Sequence, residues 1–172
     1  MKILVFDDSQ TNRDAARAQL KNHDLTVVGT YDEAQKLLTT HKFDVVLTDL
    51  LVPASHQSQG SEEFVGKEMP VGIFIALLAA VKTRAKYVAV FTDTDHHSHP
   101  ASACFDIFNR SESFPKPFTV EGSKVLLSNA RKWINMYDPQ DLSKVLEYRE
   151  YRERTDTVRA KNWAALLDYL VG

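Results

Sequence analysis

Asp7, Asp8, Asp49, Thr92 and Lys116 close or follow short apolar runs, among them "KILVF" before Asp7, "FDVVLT" before Asp49 and "YVAVF" before Thr92. Three carboxylates drawn to one place repel one another unless a cation joins them. Oxygen ligands with room left for water suit Mg²⁺. A threonine hydroxyl and a lysine ammonium beside such a cation form a cradle for a phosphoryl group, whose transfer is mostly positioning and charge stabilisation. An aspartate carboxylate can itself be the nucleophile and carry an aspartyl phosphate. The plain alternative is that each acid ends a strand as a cap or a solubilising charge.

A second cluster lies in "FTDTDHHSHP", Phe91 to Pro100, which holds three of the chain's six histidines. Imidazole and carboxylate both bind Zn²⁺. His96 and His97 are adjacent and turn to one metal with difficulty. His97 and His99 share a side of an extended segment and are the better metal candidates. The competing reading is a solvated loop closed by Pro100 before a short helix. A third treats the histidines as pH-sensitive contacts to a partner or to the loop carrying His56. Cys104 has no assignable base and reads as a small buried hydrophobe.

Elements must bring the first set together. Lys2–Phe6, Leu25–Thr30, Phe43–Leu50 and Tyr87–Thr92 read as strands, with Ser111–Phe114 the candidate for a fifth. Ser9 is a candidate N-cap for a helix through "QTNRDAARAQLKNH", and "YDEAQKLLTTHK" is a second helix. Strands that alternate with helices and are apolar on both faces predict a parallel sheet covered on both sides. Such sheets bind ligands at the carboxyl ends of their strands, where these polar residues fall. "VGIFIALLAAV" (71–81) is apolar nearly all round, so it predicts a helix covered on both sides. The polar stretch from Ala54 to Met69 is an insertion beside the site. Residues 138–172 read as a C-terminal helical extension. Asp138-Pro139 opens its first helix, and Trp163, Leu166, Leu167 and Leu170 line its last.

With 172 residues, 44% of them hydrophobic, the chain can bury one ordinary core. A net charge of −2 gives no electrostatic case for nucleic acid. The tail is too short for a winged-helix output module. A lone cysteine and the lack of any long apolar segment point to a cytoplasmic protein without a membrane span.

"ILVFDDSQTNR", "VVLTDLLVP", "VAVFTD" and "PKPF" together, in this order, resemble the signature segments of response-regulator receiver domains. The resemblance covers residues 2–137 and implies a flavodoxin-like, five-stranded parallel sheet with helices on both faces. It implies that Asp49 accepts a phosphoryl group. Asp8 would bind Mg²⁺ directly and Asp7 through water, with Asp49 and the Leu51 backbone carbonyl completing the ligands. Thr92 would bond the phosphoryl group and Lys116 would pair with one of its oxygens, next to a cis Lys116–Pro117 bond. The implied partners are a histidine kinase or phosphotransfer protein and a downstream protein; the apolar helix and the tail add a homodimer as an option. Phosphorylation would be self-modification rather than turnover. The readout surface would be the helix after Pro100, the fifth strand and a helix from Val120 to Met136. The sequence departs from the family at Asp93, a carboxylate where a small residue is usual, and at Ser113, where the family has an aromatic and Phe114 is one place off. Two other readings stand beside this one: a haloacid-dehalogenase-like phosphatase with Asp7 as nucleophile, and a scaffold that no longer depends on phosphorylation.

Overall fold

The computed structural model describes residues 1–54, 62–95, 97–108, 115–129 and 131–172. The chain opens with β1 (Lys2–Phe6). Ser9 then caps α1 (Gln10–Gln19) by accepting the Asn12 amide. After β2 (Asp24–Val28), Thr30 and Glu33 form a reciprocal capping box that starts α2 (Tyr31–Thr40). β3 (Val45–Thr48) leads into Asp49. β4 (Val52–Pro53) and β5 (Glu68–Met69) then pair as a short antiparallel ribbon, which closes the foot of the inserted segment. α3 (Val71–Leu77) runs on as a π-helical stretch over Leu78–Thr83 and stops at Arg84, which is left-handed at φ 55°. β6 (Tyr87–Phe91) follows, then α4 (Pro100–Ala103) with a 3-10 turn over Cys104–Ile107. β7 (Phe118–Val120) and β8 (Ser123–Ser128) form a hairpin. The rest is β9 (Ile134–Asp138), β10 (Asp141–Val145), α5 (Tyr148–Arg152), β11 (Val158–Lys161) and α6 (Trp163–Val171).

Among the described residues the central sheet has six strands, in the order β2-β1-β3-β6-β8-β7. Every pairing in it is parallel except β7–β8. The sheet is therefore mixed and six-stranded rather than five-stranded and wholly parallel. Alternation along the strands sorts its core into two layers. Leu4, Phe6, Val46, Val88 and Val90 face α2 and α3. Ile3, Val5, Val45, Leu47, Ala89 and Phe91 face α1 and α6. Both sets are fully buried, which is why these runs carry no polar alternation.

Several sequence expectations are corrected. Ser123–Ser128 is the last parallel strand, so no helix runs from Val120 to Met136. The fifth strand expected at Ser111–Phe114 lies outside the described residues, as do His56, His96 and Ser113. Residues 138–172 are not a purely helical extension. They include β10 and β11, which flank β9 in a separate antiparallel sheet, so a boundary at 137/138 falls inside β9. The final amphipathic helix does form, with Trp163, Leu166, Leu167 and Leu170 buried. α3 is covered on one side only: Ile75 and Ala79 are buried, whereas Phe74, Leu77 and Val81 are exposed. No described peptide bond is cis, so Lys116–Pro117 is trans. No helix among the described residues is long and apolar enough to cross a membrane.

Candidate functional site

Asp7, Asp49 and Thr92 each follow the last residue of a parallel strand, and each extends the ladder by one bond. Asp7 N donates to Val28 O at 3.2 Å, Asp49 N to Phe6 O at 2.7 Å, and Thr92 N to Ser128 O at 3.0 Å. This shared continuation sets the three at one edge of the sheet, at the carboxyl ends of the strands. Asp7, Asp49 and Thr92 are buried, while Asp8 is exposed. Carboxylate oxygens of Asp7, Asp8 and Asp49 all lie within 4.8 Å of one another, close enough to hold one metal ion. Among the described residues no other group of three or more His, Cys, Asp and Glu side chains does so. His99 instead caps α4, its Nδ1 accepting the Ala101 amide.

The ammonium at this site is Lys161, not Lys116. Lys161 Nζ lies 2.7 Å from Asp7 Oδ2 and 2.9 Å from Asp49 Oδ1. The lysine is fully buried, and its ammonium also lies over the rings of Phe91 and Trp163, 5.4 and 5.3 Å from their centroids. Lys116 is exposed in the segment before β7. The sequence hides Lys161 because "VRAK" reads as a mixed, half-exposed strand. The one available signal is its place directly before the amphipathic α6, where a side chain pointing inward enters the core.

The Asp7 carboxylate is also held by Ser9 N at 2.9 Å, and by Asn12 Nδ2 at 3.2 and 3.3 Å from its two oxygens. Asn12 Oδ1 accepts the Lys161 amide at 3.1 Å. Gln19 reinforces the same junction, accepting from Trp163 N and donating to Lys161 O. The Asp49 carboxylate takes Leu50 N and Lys161 Nζ, both on Oδ1. The chain matches no family model, no curated protein and no solved structure.

Charge here is unbalanced: three carboxylates face one ammonium. Burial, only partly offset by Lys161, pushes the Asp49 carboxyl up to about 8, and the neighbouring charges of Asp7 and Asp93 push the same way. Burial and Asp7 also raise Asp8. Burial works against the charge on Lys161, but the Asp49 and Asp7 carboxylates outweigh it and hold the ammonium above the ordinary lysine range. Asp93 is exposed, and its charge bears on Asp49 and Lys161. The metal-free site is thus short of positive charge, and a divalent cation suits the donor set.

The close fit of this edge rests on Gly72 in the first turn of α3. A Cβ there would stand 1.7 Å from the Asp49 carbonyl oxygen. The Gly72 amide instead donates to Leu50 O at 3.1 Å. Leu51 is buried just beyond, between this turn and β4.

Proposed function

We propose that this chain is a receiver-like signalling protein that takes a phosphoryl group on Asp49 and passes the signal on through protein–protein contacts. The observation that carries the reading is the buried ammonium of Lys161 bonded to both Asp7 and Asp49 beside Asp8. The order of the five parallel strands, β2-β1-β3-β6-β8, supports a flavodoxin-like arrangement with β7 added at the edge. Among the described residues both hydrogen bonds to the Asp49 carboxylate fall on Oδ1. That leaves Oδ2 to attack a phosphorus. With Asp49 ionised, the N–P bond of a protonated phosphohistidine donor breaks, an acyl phosphate O–P bond forms, and the imidazole leaves neutral, keeping the proton its other ring nitrogen already carried.

Asp7, Asp8 and Asp49 would hold Mg²⁺, with the Leu51 carbonyl as a fourth ligand. When bound, Mg²⁺ supplies neutralising charge for the carboxylates and the incoming phosphoryl oxygens. Lys161 stands ready to pair with a phosphoryl oxygen, and the buried Thr92 offers a hydroxyl at the same edge. Asp7 is a poor nucleophile in this setting, since both its oxygens accept hydrogen bonds. The exposed apolar side chains of α3 and the adjoining 90 Å³ cleft lined by Ile73, Leu77, Phe118 and Val120 support a protein partner or a second copy.

The test is intact mass after incubation with acetyl phosphate and Mg²⁺. A single phosphoryl adduct is expected on the wild-type chain and none on Asp49→Asn. An unmodified wild type, or an adduct that persists in Asp49→Asn, overturns the reading.

A further inference from the structure

Asn12 is a buried amide with no role in the chemistry outlined above, yet every polar atom of its side chain is directed at the site. Its Nδ2 donates to both oxygens of Asp7, at 3.2 and 3.3 Å. Its Oδ1 accepts the backbone amide of Lys161 at 3.1 Å, 149 residues away in sequence. Its own carbonyl accepts the Trp163 indole N–H at 2.9 Å. The orientation of the amide is fixed by chemistry: turned over, it would set oxygen against carboxylate and N–H against N–H. Ser9 joins the pattern at the other end, as its backbone N–H bonds Asp7 and its hydroxyl caps Asn12 N.

We propose that Asn12 is a positioning residue that locks the first carboxylate of the site and its lysine into one geometry, and so sets the site's affinity for a divalent cation. A carboxylate held by one ammonium alone can rotate about its Cβ–Cγ bond. Asp7 is held by Asn12 across both oxygens and by Ser9 and Lys161 at one each, so its plane is fixed. The same amide fixes where β11 ends, and with it the point from which the Lys161 side chain enters. Groups behind the direct ligands that orient a donor in this way commonly change metal affinity 10–100-fold when lost. The inference rests on the cation site proposed above and adds to it the residue that tunes it.

The experiment is a Mg²⁺ titration by calorimetry of the full chain, run as a double-mutant cycle. The wild-type titration tests the site itself: no binding there removes the cation reading and this inference with it. Given wild-type binding, Asn12→Leu is expected to weaken affinity at least tenfold. In an Asp7→Asn background the same change should move affinity less than about threefold, because the carboxylate it orients is gone. Equal losses in both backgrounds would assign Asn12 a merely structural role, and no loss in either would leave it none; both overturn the inference. If Asn12→Leu does not melt cooperatively, Asn12→Ala runs the same cycle, since it removes both amide contacts without adding a charge to the site, and the same tenfold and threefold limits apply.

Discussion

At the scale of the residue, two lysines give the sharpest contrast. Lys161 is buried between two carboxylates, whereas Lys116 is exposed. Removing one partner of a buried pair leaves uncompensated charge and costs about 3–5 kcal/mol, whereas a surface change stays within about 0.5 kcal/mol. Lys161→Met should therefore lower the urea midpoint strongly at neutral pH, and Lys116→Met should leave it in place. Added Mg²⁺ should recover part of the loss in Lys161→Met, since the cation supplies the missing charge. Asp49 makes a second prediction, whose sign follows from its raised pKa. The folded carboxyl titrates near 8, above the ordinary value of 3.8, so between those limits the native state binds the extra proton. Metal-free stability from Asp49 is thus greatest in acid and falls as pH rises through that window, by up to about 1.4 kcal/mol per pH unit. Urea unfolding in chelator at pH 5 and pH 8 should show a larger fall for wild type than for Asp49→Asn. An identical pH dependence in both would refute the assignment.

At the scale of the element, close approach and turn chemistry make separate demands. Gly72→Ala has nowhere to place its methyl, because the obstacle is the Asp49 backbone rather than a flexible side chain. Overpacking of this kind costs typically 1–3 kcal/mol, and here the strain falls on the residue that would accept the phosphoryl group. Lower stability together with slower labelling by acetyl phosphate is expected; loss of stability with labelling unchanged would separate the helix from the site. The β7–β8 hairpin turns on Glu121 and Gly122, both with positive φ, at 49° and 86°. Two left-handed residues in a two-residue loop belong to the I′ turn, where Asn-Gly is preferred. Glu121→Asn should raise the melting temperature by a few degrees, matching a gain of less than about 1 kcal/mol. The same hairpin explains where elements were hard to read. β1, β2, β3 and β6 are mostly apolar runs, β1 and β3 followed at once by Asp7 and Asp49, and the first two helices between them carry side-chain caps at Ser9 and Thr30. "SKVLLS" has polar ends and a short apolar centre, and on sequence it passes equally for one face of a helix.

At the scale of the whole molecule, the site is assembled from both ends of the chain. Asp7 and its lysine are 154 residues apart. No local pattern reports such a pairing, because it depends on how α6 packs rather than on what precedes it. The carboxylates were legible since each ends a strand. The lysine was not, since an exposed lysine in "PKPF" fits a motif better than a buried one in "VRAK" fits a strand. This assembly makes the C-terminal segment part of the core. Trp163, Leu166, Leu167 and Leu170 cover the sheet face that holds Ile3, Val5, Leu47 and Phe91. Each large apolar side chain buried is worth about 1.5–3 kcal/mol, so four of them approach the 5–15 kcal/mol that holds a typical domain together. A chain ending at Tyr137 would lose this cover, lose β11 from the antiparallel sheet, and leave Asp7 and Asp49 facing each other with no ammonium between them. Such a truncation should bind a hydrophobic dye and melt without a cooperative transition. Supplying residues 138–172 as a separate peptide should restore cooperativity if α6 docks as it does in the intact chain. A cooperative melt of residues 1–137 alone, at the wild-type midpoint, would show that the last 35 residues are an appendage and that the lysine they carry is dispensable to the fold.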